Sequence, residues 1–200
     1  MTRRCVVATA NPNKAAEIIE ILATRGDVEL IERPDDVGDI DETGDTLFEN
    51  ARLKATALCE ATGELAIADD TGLVVDALGG APGVYSARYA GVGATSEQNM
   101  AKLLDELSSL EDRRAHFATV AYGATADGLE VFATGEVAGV IIEAPRGTGG
   151  FGYDPIFVPD EGDGRTFAEM DAAEKHAISH RGRAFRALAD RLADVGILDG

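Results

Sequence analysis

Two long extended runs near the middle of the chain limit the folds open to it most. Ala115 to Ala124 and Leu129 to Ile142 are rich in β-formers and flank Ala126-Asp127-Gly128, a hairpin signal with a short turn. An antiparallel pair of that length needs a sheet beside it. The chain also opens in the α/β manner: a buried strand at Cys5–Ala8, a polar turn over Thr9–Lys14, then helical spacing from Ala15 to Thr24. A βα opening followed by an antiparallel pair implies a mixed sheet. Further elements fit that frame. Val28 to Glu32 is a short strand, and Arg33 to Asp45 is a charged loop. Thr46 and Glu49 have capping-box spacing for a helix to about Ala61. Leu65 to Ala68 is an apolar strand, Gly72 to Leu78 continues extended, and Ser96 to Leu107 is an N-capped helix. A second capping box, Thr166 to Glu169, opens a short helix, and Ser179 caps a last one that runs to about Ala193. With no repeat, low-complexity tract or linker, residues 1–200 read as one domain.

Composition narrows the function classes. The chain of 200 residues is 45% apolar and 27% charged, ordinary for a globular protein, but its formal net charge is −18. That excess opposes nucleic acid, whose binding needs a surface that neutralises phosphates, and it opposes anionic membranes. No apolar run reaches the length of a membrane span. The run after Met1 is too short for a secretory leader, so the cytoplasm is the default. Cys5 and Cys59 have neither disulfide-framework nor zinc spacing, and read as buried free thiols.

Chemistry concentrates in a few stretches. The strand ending at Ala68 runs into Asp69-Asp70-Thr71-Gly72. Adjacent strand residues point to opposite faces, so the two aspartates need not share a task. Carboxylates at the end of an inner strand are costly unless hydrogen-bonded or bound to a cation, and a hard ion such as Mg²⁺ suits oxygen ligands. The plainer reading is a turn, for which Asp-Thr-Gly is also good chemistry. Thr9-Ala10-Asn11-Pro12-Asn13-Lys14 joins strand to helix, where backbone N–H groups and a lysine favour anions, although the glycines of a Walker loop are missing. Glu49, Asn50 and Lys54 sit on or beside the first turns of the second helix, where they either face the site or cap and solvate the helix, the second reading being favoured. Phe151-Gly152-Tyr153-Asp154 sits in a glycine-rich stretch whose aromatics either offer a planar base a stacking surface or pack on their own core. Lys175 follows, then His180 and Arg181 at the positive end of the last helix.

Taken together and in this order, several stretches resemble one family. They are Thr9–Lys14, Ala68–Leu73, Gly79-Gly80-Ala81-Pro82-Gly83-Val84-Tyr85-Ser86-Ala87-Arg88-Tyr89, Gly149–Phe157, and Glu174-Lys175 leading into Ile178-Ser179-His180-Arg181. The chain is similar over essentially its whole length to the inosine triphosphate pyrophosphatases, the Ham1-like family. Position 71 is Thr where many members have Ser, which keeps the hydroxyl. The resemblance implies an elongated mixed β-sheet flanked by helices, in two lobes with a central cleft, and a homodimer. It implies Mg²⁺-dependent hydrolysis of ITP, dITP and XTP to the monophosphate plus pyrophosphate, which keeps deaminated purines out of DNA and RNA. Carried over by position, Thr9, Ala10, Asn11, Pro12, Asn13 and Lys14 hold the triphosphate. Asp70 is the catalytic acidic residue and a metal ligand, Glu42 is a second metal ligand, and Thr71 touches the nucleotide. Phe151, Gly152, Tyr153, Asp154, Lys175, His180 and Arg181 form the base end.

The chemistry needs such residues. Cleavage between the α and β phosphates puts charge on the leaving pyrophosphate, so positioning and neutralisation dominate. Inosine and xanthosine carry an oxygen at C6 where adenosine has an amine, and His180 and Arg181 are suitable donors to it. Two other readings fit the same residues: a nucleotide pyrophosphatase with a different base preference, and a non-catalytic nucleotide-binding regulator.

Overall fold

The structure, a computed structural model, describes residues 3–9, 11–22, 28–34, 37–38 and 40–198. In chain order these form β1 (Arg3–Val7), α1 (Pro12–Leu22), β2 (Val28–Glu32), α2 (Leu47–Thr62), β3 (Leu65–Val75), β4 (Pro82–Gly83), α3 (Ser96–Glu106), β5 (Arg114–Ala124), β6 (Glu130–Ile141), β7 (Phe157–Pro159), α4 (Ala172–Ile178) and α5 (His180–Asp194). Among the described residues the strands hydrogen-bond in the order β2-β1-β3-β5-β6-β7, with β4 on β3. β1 pairs in parallel with β2 and β3, whereas β4 on β3 and β7 on β6 are antiparallel. The sheet is therefore mixed, as the hairpin and the βα opening imply, and helices flank it. No helix among the described residues is long and apolar enough to cross a membrane.

The chain forms two compact units. The first comprises residues 1–70, 119–135 and 181–200; the second comprises 71–118 and 136–180. In the first, strand alternation sorts the core into two layers. Cys5 and Val7 of β1 and Leu65 and Ile67 of β3 pack with Ile18, Ile21 and Leu22 of α1 and Phe185, Leu188 and Leu192 of α5. Val6, Ala8, Ala66 and Ala68 face the other way, onto Ala51, Ala55, Leu58 and Cys59 of α2. Each large side chain so buried contributes about 1.5–3 kcal/mol. In the second unit Leu73 and Val75 of β3 pack with Leu103 and Leu107 around α3 and with Phe117, Ile141, Phe157 and Phe167.

The structure departs from the sequence reading at several boundaries. α1 begins at Pro12 rather than Ala15, because proline is preorganised for the first helical position and the Asn11 side chain caps the turn, its Oδ1 accepting from the Asn13 and Lys14 amides at 3.0 and 3.3 Å. Thr24, the expected end of that helix, lies outside the described residues. β3 does not stop at Ala68: it runs through both aspartates to Val75, where β4 pairs with Leu73 and Val74 and prolongs the ladder. The extended run expected to Leu78 gives way to a 3₁₀ turn over Asp76–Leu78. Thr166 and Glu169 make their capping box around one 3₁₀ turn only, and the helix proper starts after a further box, Asp171 with Glu174. The hairpin turn falls where expected, the Gly128 amide donating to Thr125 O at 2.9 Å and the Thr125 amide to Leu129 O at 3.0 Å.

Candidate functional site

In the first unit the alternation that sorts the core also sorts the aspartates. Asp69 continues the Leu65–Ile67 face toward α1 and α5. Its Oδ2 accepts from Arg181 Nη2 at 3.2 Å and Nε at 3.3 Å, and Lys14 Nζ lies 3.4 Å away. Arg181 also reaches Glu17 Oε2 with Nη1 at 2.5 Å. Asp70 continues the Ala66–Ala68 face toward α2. Its Oδ2 accepts from Asn50 Nδ2 at 3.2 Å, and Lys54 Nζ stands 3.5 Å from its Oδ1 and 2.7 Å from Glu42 Oε1. Both aspartates are buried, at 1% and 5% exposure, so groups of the protein rather than water must stabilise them.

Burial sets the proton affinities here. Desolvation pushes the Asp70 carboxyl above the usual carboxylate range, against the pull of Lys54 and Lys14. Lys14 is driven below its ordinary value by burial, which the nearby Asp69 only partly offsets. Burial would also lower Lys54, but Asp70, Asp69 and Glu42 outweigh it and hold that ammonium above its ordinary value.

Glu42 Oε1 and Asp70 Oδ1 converge on one cation-sized place, the end of the Lys54 side chain. Among the described residues no group of three or more His, Cys, Asp or Glu could hold a metal. Glu42 and Asp70 together offer a hard divalent ion two carboxylates, and that donor set fits Mg²⁺, which keeps waters and takes phosphate oxygens for the rest.

The turn before α1 is more self-contained than its sequence implies. Thr9 Oγ1 accepts from the Asn11 amide at 3.1 Å, and Asn11 caps the amides of Asn13 and Lys14. Asn11, Pro12 and Asn13 are exposed, and Ala10 lies outside the described residues. An anion at this helix start would meet the Asn11 and Asn13 side chains and the Lys14 ammonium, and would compete with Asn11 for the amides.

The second unit assembles another group. Asp154 is 3% exposed, and its Oδ2 accepts from the Phe151 amide at 2.8 Å and from Lys175 Nζ at 2.7 Å. Gly150, with φ +66°, makes room for this: a Cβ there would lie 2.2 Å from that oxygen. Lys175 Nζ is 5.0 Å from the Phe151 ring centroid and 5.7 Å from that of Phe167. The buried His180 imidazole stacks on Phe117 with centroids 4.5 Å apart. Phe151 and Gly152 are partly exposed, whereas the Tyr153 ring is buried and its hydroxyl donates to Ser86 O at 2.9 Å. Of the two aromatics weighed as a stacking surface, Phe151 is partly exposed and Tyr153 is core. Thr71, the first residue of this unit, is partly exposed.

One sequence expectation needs correction. Asn50 and Lys54 are not solvating residues of α2: they are 0% and 8% exposed and turn onto Asp70, while Glu49 does cap the helix. The i, i+4 spacing of Asn50 and Lys54 put them on one helix face, and that was the available signal. Arg181, next to His180 in sequence, directs its guanidinium to Asp69 and Glu17, since a fully buried guanidinium requires carboxylate partners.

The Ham1 family model matches residues 5–191 of this chain. A dITP/XTP pyrophosphatase of Streptomyces coelicolor is 50% identical over 190 residues, covering 92% of this chain and 94% of its own. One from Geobacter sulfurreducens is 48% identical over 197 residues, covering 97% and 98%. Among solved structures, a HAM1 protein from Coxiella burnetii superposes with a TM-score of 0.86 at 41% identity over 96% of this chain and 99% of that one. The nucleoside-triphosphatase / dITP/XTP pyrophosphatase of Mycobacterium abscessus gives 0.73 at 44% identity over 94% and 98%. With the family model spanning 5–191 and relatives near half identical along almost all their length, this protein belongs to the Ham1 family.

Proposed function

We propose that this protein hydrolyses dITP, ITP and XTP to the nucleoside monophosphate and pyrophosphate, with Mg²⁺. The observation that carries the reading is Asp70: a buried carboxylate, shifted toward holding a proton, with lysines around it and Glu42 facing the same place. Such a group is suited to take the proton of an attacking water. Lys14 and Lys54 neutralise phosphate oxygens as point charges. Glu42 and Asp70 would hold a Mg²⁺, whose charge would neutralise the leaving pyrophosphate. Thr9 and the Asn11–Asn13 turn take the triphosphate, and the family resemblance assigns Thr71 to the nucleotide. Asp69 and Arg181 brace each other rather than reacting.

The base end is the Lys175–Asp154 pair with Phe151 and His180. The partly exposed Phe151 ring gives a purine a face to stack on. Lys175, a donor without acceptors, favours an oxygen at C6 over an amine. The names of the relatives, dITP/XTP pyrophosphatase, support this substrate class. On this reading the protein works in the cytoplasm, as a homodimer, removing deaminated purine nucleotides before polymerases use them.

Pyrophosphate release from ITP, XTP, GTP and ATP, with Mg²⁺ and with EDTA, tests the reading. Metal-dependent release from ITP and XTP, with little from GTP and ATP, is expected. No release from any of the four by folded protein would reject it.

A further inference from the structure

Asn50 lies at the second turn of α2 and is fully buried. Its carboxamide has one acceptor and two donors, and the surroundings decide which end is which. The Gly44 amide donates to Oδ1 at 2.8 Å, so Oδ1 must face the loop before α2, and Nδ2 then faces Asp70 Oδ2 at 3.2 Å. Gly44 stands two residues after Glu42. The loop lies so close on α2 that a Cβ at Gly44 would be 2.5 Å from Glu49 Cβ and 2.8 Å from Asn50 Oδ1. One side chain therefore ties the strand bearing Asp70 to the loop bearing Glu42. It also occupies one Asp70 oxygen, leaving Oδ1 turned toward Lys54 and Glu42.

We propose that Asn50 is a positioning residue: its carboxamide locks the Asp70 carboxylate and the Glu42 loop into one arrangement, so that one oxygen of each faces the same divalent cation. The inference rests on the function proposed above. Lys54 alone would not do this, since an ammonium on a flexible stem accepts many geometries, whereas the amide fixes both distance and plane. Partners that orient metal-binding carboxylates matter about 10–100-fold in affinity or rate when removed.

Two variants and two readouts test the proposal. Asn50→Ala removes both hydrogen bonds. Asn50→Ser keeps a hydroxyl able to serve one of them, and carries the test should the alanine variant not fold. Affinity for Mn²⁺ alone, followed by titration calorimetry, is expected to weaken about tenfold in either variant. With Mg²⁺ saturating, kcat for dITP is expected to fall at least about tenfold, while KM for dITP stays within about threefold. A merely structural asparagine would lower Tm and leave the Mn²⁺ affinity and the kcat of the folded protein within twofold; that result would overturn the proposal. If the wild-type protein releases no pyrophosphate, the function proposed above fails, and the Mn²⁺ titration still decides whether Asn50 organises the carboxylates.

Discussion

Asp69 and Asp70 share a peptide bond, yet their close contacts differ: within 3.5 Å the first meets Arg181 and Lys14, the second Asn50 and Lys54. The period of a strand does this, since consecutive side chains leave opposite faces and α1 and α5 cover one face while α2 covers the other.

Substitution should therefore separate the pair. Asp69→Asn leaves the buried Arg181 short of one counter-charge, and breaking a buried ionic set costs about 3–5 kcal/mol. A fall in Tm of about 10 °C by calorimetry is expected. Asp70 behaves oppositely. Its folded pKa is raised, so its charge opposes folding at pH above the ordinary carboxylate range and ceases to do so as pH falls. Asp70→Asn is expected to keep Tm within about 3 °C and to lose kcat at least about 100-fold. Near-normal turnover in that variant would remove Asp70 from the chemistry.

The Lys175–Asp154 pair should show the same logic in the second unit. Its side chains are 5% and 4% exposed and 2.7 Å apart. Lys175→Met strands a buried carboxylate and is expected to cost about 3–5 kcal/mol in chemical denaturation. Adding Asp154→Asn, which still accepts from the Phe151 amide, should recover most of that loss. Neither variant should recover preference for ITP over ATP: the ratio of kcat/KM values is expected to fall about tenfold or more.

The cysteines should be silent. Burial pushes the Cys5 thiol up to about 12 and also raises Cys59, and the thiolate is the reactive form. An aromatic disulfide reagent is expected to label neither residue in native protein between pH 7 and 9, and both after unfolding in guanidinium. Fast labelling of native protein would contradict the burial of these strand and helix positions.

Salt should help rather than hinder. The sequence holds four lysines, and three of them, Lys14, Lys54 and Lys175, belong to the candidate groups, within a chain of net charge −18. A triphosphate approaching at low ionic strength feels the whole acidic surface, because the screening length is about 30 Å at 0.01 M and about 8 Å at 0.15 M. Raising KCl across that range is expected to increase kcat/KM roughly threefold, by relieving repulsion on approach. A decrease would mean that the local cations govern encounter.

What the sequence disclosed follows from the range of the interactions involved. The Thr46–Glu49 box, the turn at Gly128 and the strand Val28–Glu32 depend on neighbours, and each forms where local chemistry puts it. The end of β3 depends on β4, a two-residue strand without a pattern of its own, so the boundary at Ala68 was out of reach. The stretches that carry polar chemistry stand out as motifs, but which side chains pair with which does not. Asn50 and Lys54 look like surface residues until α2 is laid across β3. His180 and Arg181 look like a pair until the backbone sends one to Phe117 and the other to Asp69.

The chain passes between its two units at four places, two of them the peptide bonds Asp70–Thr71 and His180–Arg181. A unit made of three separated stretches cannot be inherited as a block. A single recombination between two genes of this kind would give every descendant a unit assembled from both parents. A crossover between β3 and α5 therefore sets one parent's α1, α2 and β3 against the other's α5, and a shuffled library of such chains should keep its survivors where both parents agree at Asp69, Arg181 and the core that α1 and α5 share with β3.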